Sequence, residues 1–164
     1  MEKLGIYIHV PFCVRKCAYC DFYSIGDMSR CDVYTDALIT QIKSWKSVGK
    51  SHVVDSIYIG GGTPSLLSGN QIYRILSAVR ATFRVDEEAE ITMEANPGTL
   101  DTEKLAAYKE AGINRLSIGL QSANNRELAR LSRIHTKEEF ESSFLLARLE
   151  GFRNINVDLM YALP

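Results

Sequence analysis

Three cysteines near the N-terminus, Cys13, Cys17 and Cys20, are spaced closely enough for their thiolates to act together on one metal centre. Cysteine thiolates hold iron–sulfur clusters, and a [4Fe–4S] cluster typically takes four of them. Three ligands leave one iron without a protein ligand, and in catalytic metal sites such an open position receives a substrate or cofactor. The spacing therefore favours an iron–sulfur cluster with one exchangeable position.

Two other interpretations of these cysteines remain open. A structural zinc ion could take the three thiolates and His9, although zinc patterns usually pair two Cys-x-x-Cys halves and no second half follows. The cysteines could also be free thiols, as we expect for Cys31, which stands apart and is predicted to pack as a small apolar side chain. A cysteine cluster without a recognisable export signal favours a reducing compartment, so we predict a cytoplasmic protein.

Five predicted strands alternate with predicted helices, and the cysteines follow the first strand. The strands are predicted at 6–10, 53–59, 90–94, 115–119 and 154–159. The helices are predicted at 32–48, 72–83, 101–111, 124–131 and 136–150. Such alternation indicates parallel strands joined by right-handed crossovers. It leaves open whether the α/β sheet is doubly wound or forms a barrel or part of one.

Glycines, polar residues or the cysteine loop stand at the carboxyl end of every predicted strand. After the cysteines these are Gly60–Gly62, Glu94 with Asn96, Gly119 with Gln121, and Asp158. Because the carboxyl ends of parallel strands meet at one rim, we expect one composite site there. Two expectations concern the surrounding structure: Gly60 to Ser65 should form a loop, and Trp45 should pack in the core from the apolar face of its helix.

Composition and charge exclude several classes of protein. Nineteen basic and twenty acidic residues give a formal charge of −1, so no net positive field attracts nucleic acid or an anionic membrane. No apolar run approaches the ~20 residues of a membrane span. Apolar residues make up 46% of the 164 residues, the usual share for a globular domain with a sizeable core.

Five blocks of sequence, in order along nearly the whole chain, resemble one known family. The loop Cys13-x3-Cys17-x-Tyr19-Cys20 is similar to the signature of the radical S-adenosylmethionine superfamily. The blocks at 6–13, 60–65, 94–97, 119–122 and 157–161 are similar to the oxygen-independent coproporphyrinogen III oxidase-like family. The resemblance implies a partial parallel (β/α)6 barrel of the radical S-adenosylmethionine type, truncated here after the fifth strand. Residues 1–164 would then be the N-terminal part of that core domain, with the final strand and a C-terminal domain missing.

The resemblance also implies two cofactors, a [4Fe–4S] cluster and S-adenosylmethionine. Cys13, Cys17 and Cys20 would be the cluster ligands, and the open iron would chelate the amino and carboxylate groups of S-adenosylmethionine. Electron transfer from the cluster would then cleave the sulfonium to give a 5′-deoxyadenosyl radical. The positions that match the family's cofactor contacts are Tyr7, Tyr19, Gly61, Gly62, Thr63, Glu94, Gln121, Arg133 and Asp158.

Some of these positions carry a more specific implication. Glu94 would place an anion opposite a sulfonium and an ammonium, which is electrostatically favourable. In the oxidase branch, Gln121, Arg133 and Asp158 would serve a second S-adenosylmethionine. The alternatives are ordinary structural roles: a tight turn for the glycines, a salt bridge for Glu94, and strand packing for Tyr7. For Gln121, Arg133 and Asp158 they are a hydrogen bond at the rim, a solvated charge on a helix and a loop cap, respectively.

One departure points to a branch of the family. The true anaerobic oxidases carry a fourth cysteine two residues after the third, where this chain has Phe22. That pattern is closer to the heme chaperone branch, so a heme chaperone is the predicted function. The alternatives are an oxygen-independent coproporphyrinogen III oxidase, which carries out oxidative decarboxylation in porphyrin biosynthesis, and a zinc-stabilised α/β interaction module. The predicted partners are the cofactor, heme or porphyrin and a reductant protein, with no catalytic residue assigned.

Overall fold

A computed structural model describes residues 2–49 and 51–163 of the chain. Five parallel strands form one sheet, and their order in space is their order in the sequence. The strands are β1 (Glu2–Val10), β2 (His52–Gly61), β3 (Arg84–Ala95), β4 (Arg115–Gln121) and β5 (Asn154–Leu159). A doubly wound sheet requires the strand order to reverse, whereas sequential order with crossovers of one hand keeps every helix on the same side. The architecture is therefore the wall of a parallel α/β barrel, as predicted.

Within the described residues, six α-helices lie between these strands. They are α1 (Cys31–Ser44), α2 (Lys46–Gly49), α3 (Gly69–Thr82), α4 (Thr102–Ala111), α5 (Asn125–Arg130) and α6 (Lys137–Leu149), with short 3-10 turns at Met28–Arg30 and Pro64–Leu66. Ser68 and Thr136 each begin a helix with a capping box, which satisfies amide groups that the first helical turn leaves unpaired. No described helix has the length and apolar character needed to span a bilayer.

The two faces of the sheet differ in chemistry because side chains alternate along each strand. One face carries aliphatic side chains from every strand, and these pack with α3 and α4 in a single hydrophobic core. Its members include Ile8, Val10, Ile57, Ile59, Ile91, Met93, Leu116, Ile118, Ile155 and Val157. The other face carries Tyr7, His9, Tyr58, Thr92, Glu94, Ser117, Asn156 and Asp158. Both faces of a parallel sheet are normally apolar, so the polar face is the unusual one.

Several local predictions were wrong. The first helix ends at Ser44 instead of continuing to residue 48, and Trp45 is 52% exposed instead of lying in the core. Gly60 and Gly61 extend β2 instead of belonging to the loop that follows, because they pair with His9 and Val10 of β1. Strand β3 begins at Arg84, six residues before its predicted start, and an irregularity in register accommodates the acidic residues between.

Candidate functional site

The carboxyl ends of the strands surround a cavity of about 180 Å³. Almost all of the predicted site residues line it: Cys13, Cys17, Tyr19, Cys20, Gly61, Gly62, Thr63, Glu94, Gln121, Arg133 and Asp158. The residues come from the ends of all five strands or from the segments that follow them. The predicted convergence of the strand ends on one rim is therefore what the fold produces.

The cysteine loop leaves β1 at the buried side chain of Phe12 and is closed by backbone hydrogen bonds. The amide of Cys13 donates to the carbonyl of Ile25 over 3.1 Å, and the amide of Cys20 donates to the carbonyl of Cys17 over 3.1 Å. The three cysteine side chains are half-buried, and each faces the cavity. Cys31 is half-buried elsewhere and packs against the hydrophobic core, as expected for an apolar role.

Two of the three sulfurs have polar partners from other strand ends. The Sγ of Cys13 lies 3.6 Å from the Oγ1 of Thr63, and the Nη1 of Arg133 donates to the Sγ of Cys17 over 3.7 Å. The guanidinium of Arg133 is a cationic donor beside this sulfur, and a thiolate is the form of cysteine that binds metals. Burial raises the pKa of Tyr19, an effect that Arg133 opposes and Cys17 reinforces, so its hydroxyl stays protonated at neutral pH.

Glu94 is held in place by two hydrogen bonds from β2. The hydroxyl of Tyr58 donates to its Oε1 over 2.8 Å, and the amide of Gly61 donates to its Oε2 over 3.1 Å. Burial, together with the neighbouring carboxylate, raises the pKa of Tyr58 far above its usual value, so the hydroxyl remains a donor at any physiological pH. The carboxylate of Glu94 is thus fixed at the cavity wall.

The glycines at the end of β2 allow two backbones to come together. A Cβ at Gly62 would lie 2.6 Å from the carbonyl oxygen of Phe12, and Gly61 has a φ of 118°. A side chain at Gly62 would push the start of the cysteine loop away from the strand ends, whereas a Cβ at Gly61 would lie 2.6 Å from the Nδ1 of His9. Gly62 therefore sets the distance between the cysteine loop and the rest of the rim.

Two buried polar atoms at the cavity have no hydrogen-bond partner among the described residues. They are the Oε1 of Gln121 and the Nε of Arg133. Gln121 also has a φ of 62°, a conformation that costs free energy in a residue with a side chain. A buried polar group without a partner costs about 1–3 kcal/mol, and a polar ligand in the cavity would remove that cost. The site thus has the character of one that binds a charged or polar molecule.

Asp158 and Tyr7 occupy different surroundings. The hydroxyl of Ser117 donates to both carboxylate oxygens of Asp158, at 3.1 and 3.0 Å, and the Nδ2 of Asn156 donates to its Oδ1 over 2.7 Å. Tyr7 is the one predicted site residue that does not line the cavity. Its ring is 59% exposed and stacks on that of Tyr58 at 6.1 Å.

His9, weighed as a zinc ligand, has both ring nitrogens close to other groups. Its Nδ1 lies 3.1 Å from the hydroxyl of Tyr7, and its Nε2 lies 3.0 Å from the carbonyl oxygen of Tyr23. Within residues 2–49 and 51–163, no group of three or more His, Cys, Asp or Glu side chains is arranged to hold a single metal ion. The three half-buried thiols that face one cavity are instead the donor set that fits an iron–sulfur cluster.

Sequence reasoning missed the residues that support this site. The predicted site residues did not include Tyr58, Ser117 or Asn156, yet each of these three hydrogen-bonds to a predicted residue. The signal available was the alternation of side chains along the strands. Polar residues stand between aliphatic neighbours at Tyr58, Ser117 and Asn156, which places them on the face opposite the core.

Comparison with known proteins places the chain in a family. The Radical SAM superfamily model matches residues 7–164. "Heme chaperone HemW" of Escherichia coli (strain K12) is 44% identical over 167 residues, which cover 100% of this chain and 44% of that protein. "Heme chaperone HemW" of Haemophilus influenzae is 41% identical over 170 residues, with the same coverage of both chains. The chain thus spans less than half the length of these curated relatives.

Among solved structures, coproporphyrinogen III oxidase (HemN) from Escherichia coli, described as a radical SAM enzyme, superposes with a TM-score of 0.90. It is 32% identical, and the match covers 99% of this chain and 38% of that one. These findings confirm the predicted resemblance, and membership implies, in general terms, a [4Fe–4S] cluster and S-adenosylmethionine. The family model matches nearly the whole chain, and the chain has three thiols and unpaired polar atoms at one site. The chain therefore belongs to the radical S-adenosylmethionine superfamily.

Proposed function

We propose that this chain is the cofactor-binding core of a heme chaperone, which holds a [4Fe–4S] cluster and S-adenosylmethionine at the strand ends. The observation that carries the proposal is the meeting, in one cavity, of three half-buried thiols with the unpaired polar atoms of Gln121 and Arg133. The relatives named as heme chaperones and Phe22 at the position of the oxidases' fourth cysteine support the choice of branch.

In this proposal Cys13, Cys17 and Cys20 hold three irons of the cluster and leave the fourth open. When bound, the cluster and S-adenosylmethionine together supply the electron transfer that cleaves a sulfonium carbon–sulfur bond. The protein's own part is to keep three thiolates on one short loop and to place a cation beside one of them. Arg133 has this position, since its guanidinium donates to Cys17 while its Nε remains available to a ligand.

Arg133 and Glu94 bring opposite charges to the cavity, and these suit the oppositely charged groups of the methionine moiety. Arg133 offers a positive charge to a carboxylate, and Glu94 offers a negative charge to an ammonium or sulfonium. The glycine–threonine segment at 61–63 permits close backbone approach, and Gln121 supplies an acceptor. Tyr19 and Asp158 face the same cavity and complete the proposed contacts. Tyr7, which lies outside it, would contribute through its stacking on Tyr58.

The fourth cysteine of the chain provides a matched control for the cluster. Anaerobic reconstitution with iron and sulfide should load the wild-type protein and the Cys31→Ser variant with about four irons and four sulfides per chain, the composition of a [4Fe–4S] cluster. The Cys17→Ser variant should lose most of this content, because two thiolates remain at the cavity. Equal iron content in all three proteins, or one tightly bound zinc per chain, would contradict the proposal.

A second candidate function is that of an oxygen-independent coproporphyrinogen III oxidase. The TM-score of 0.90 and 32% identity to a coproporphyrinogen III oxidase favour it. The two functions separate when the loaded protein is given hemin in one experiment and coproporphyrinogen III in another. A chaperone should shift the heme absorption spectrum and pass heme to an acceptor apoprotein without altering the porphyrinogen. Decarboxylated porphyrinogen that accumulates with turnover would establish the oxidase instead.

The remaining predicted partners belong to the same proposal. Heme or porphyrin would be the cargo, a reductant protein would supply the electron, and the setting would be the cytoplasm. A reductant is required by the chemistry, because the cluster must be reduced before it can transfer an electron. No residue of the chain is assigned to heme.

A further inference from the structure

One asparagine at the rim connects two of the cysteines through an unbroken series of hydrogen bonds. The Nη2 of Arg133 donates to the Oδ1 of Asn96 over 2.8 Å, and the Nδ2 of Asn96 donates to the Oγ1 of Thr63 over 2.8 Å. At its ends the series reaches Cys13, 3.6 Å from Thr63, and Cys17, 3.7 Å from Arg133. Asn96 is thus the middle member of a bridge between two thiols that are four residues apart in the sequence.

The donor and acceptor chemistry of arginine sets the direction of the whole series. A guanidinium can only donate, so the group of Asn96 that faces Arg133 has to be the carbonyl oxygen. The amide nitrogen then faces Thr63 and donates to its oxygen. A hydroxyl that accepts there keeps one hydrogen, and the sulfur of Cys13 is the partner within reach. A thiolate can only accept, so the series ends with Thr63 donating to Cys13.

The position of Asn96 is fixed independently of its side chain. Its amide donates to the Oγ of Ser65 over 3.2 Å, and its carbonyl accepts from the amide and the hydroxyl of Thr99 at 3.2 and 2.6 Å. The turn that follows β3 therefore holds the side chain between Thr63 and Arg133. A side chain so anchored is suited to keep its two neighbours in one arrangement.

We infer that Asn96 is a positioning residue for the cluster, which orients the hydroxyl of Thr63 and the guanidinium of Arg133 as donors to the sulfurs of Cys13 and Cys17. Hydrogen bonds to cluster sulfurs are among the factors that set a cluster's reduction potential. Donors at these sulfurs favour the reduced cluster because it carries the larger negative charge. Asn96 thereby makes the cluster easier to reduce, without touching the iron or the cofactor itself.

The inference rests on the proposed function, because it concerns a cluster on these cysteines. Its test is a redox titration followed by electron paramagnetic resonance on the anaerobically reconstituted protein, with no turnover involved. The Asn96→Leu and Thr63→Val variants should each have a more negative cluster potential than wild type. In the double variant the Asn96→Leu change should have a smaller effect than it has alone, because the hydroxyl through which it acts is gone.

A matched control separates this role from a structural one. Asn114 also bridges two segments through its amide, since it accepts from the amide of Ile91 and donates to the carbonyl of Ala89, each over 2.8 Å. It does not line the cavity, so Asn114→Leu should lower the melting temperature and leave the potential unchanged. Asn96→Asp is a second test variant of nearly equal size, in which the hydroxyl of Thr63 turns to the carboxylate and the potential again becomes more negative.

The possible failures are distinguishable. A wild-type protein that assembles no cluster contradicts both the proposed function and this inference. If the wild-type protein assembles a cluster and the Asn96→Leu and Thr63→Val variants have the same cluster potential as wild type, only this inference is contradicted. Shifts that simply add in the double variant, or an equal shift in Asn114→Leu, also overturn it, because neither result requires a route through Thr63 to Cys13.

Discussion

The two faces of the same five strands have opposite chemistry and opposite tasks. On the helix-packed face, side chains such as Ile57, Ile59 and Met93 are buried in the hydrophobic core. On the other face, the hydroxyl of Tyr58 donates to Glu94 and the hydroxyl of Ser117 donates to Asp158. Apolar burial on one face stabilises the fold. Holding charged groups at a ligand site on the other face costs part of that stability.

Because the two faces differ in this way, stability and function can be changed separately. A substitution on the apolar face removes packing and leaves the cavity lining untouched. On the polar face, a substitution removes a hydrogen bond that orients a group at the rim, at small cost in packing.

The largest expected effect comes from neighbouring residues of β2 that point to opposite faces. Ile57→Ala should lower the free energy of unfolding by about 2–5 kcal/mol, because it leaves a cavity in the core. Ser56→Ala should change it by less than about 1 kcal/mol, because only one hydrogen bond, to Asp55, is lost. Urea denaturation measures both. Equal losses would show that the two faces do not divide the tasks as described.

A buried histidine at the rim makes stability depend on pH. Burial, reinforced by Arg133, lowers the pKa of His135 from 6.5 to about 4, while Glu139 and the carbonyl of Leu120 act in the opposite direction. The unfolded chain therefore binds a proton in this range that the folded chain does not. Stability should fall as the pH drops from about 6.5 to about 4, by at most about 3 kcal/mol.

The His135→Gln variant identifies the group responsible for this pH dependence of stability. Its free energy of unfolding, measured in urea at intervals between pH 7 and pH 4, should vary less than that of the wild type. A slope of unchanged size in the variant would assign the pH dependence to other groups.

On the polar face, Tyr58→Phe should moderately lower both the stability of the protein and its affinity for S-adenosylmethionine. It removes the hydrogen bond to Glu94, so the free energy of unfolding should fall by about 1 kcal/mol and the affinity for S-adenosylmethionine about 3- to 10-fold. Tyr108→Phe is the control, because that hydroxyl donates to the carbonyl of Leu67 over 2.6 Å, outside the cavity. It should lose stability and keep its affinity. Isothermal titration of the loaded proteins distinguishes the two.

The smallest effect on stability is expected at Gln121. Its Oε1 has no partner among the described residues, so Gln121→Met, of similar size and shape, should change the free energy of unfolding by less than about 0.5 kcal/mol. The affinity for S-adenosylmethionine should nevertheless fall about tenfold, which is about 1.4 kcal/mol. A large loss of stability with unchanged affinity would mean that Gln121 serves the fold and not the ligand.

Much of the fold follows from local sequence signals. The bounds of β5 are those predicted, and the helix that Thr136 was expected to begin does start there with a capping box. These elements are predictable because their signals are local: alternation of side chains in one case, and the Thr–Glu spacing in the other. The convergence of the cysteines, Glu94 and Gln121 was predictable because parallel strands share one rim.

Other features depend on contacts that sequence spacing does not encode. Trp45 fits the apolar pattern of its helix, but α1 ends one residue earlier and its ring is left at the surface. Residues 84 and 85 join β3 only because β2 offers them partners, at Val53 and Val54. The bridging role of Asn96 needs Thr63 and Arg133 at its two sides, and they lie 33 and 37 residues away along the chain. Such partners become visible only in three dimensions.

We propose that the polar face and the cysteine loop form one site for a cluster and S-adenosylmethionine. The most direct test is electron paramagnetic resonance of the reduced, anaerobically reconstituted protein, recorded with and without S-adenosylmethionine. The account predicts a [4Fe–4S]+ signal whose shape changes when S-adenosylmethionine is added, because the open iron receives it. A cluster signal that S-adenosylmethionine leaves unchanged, or the absence of any cluster signal, would contradict the account.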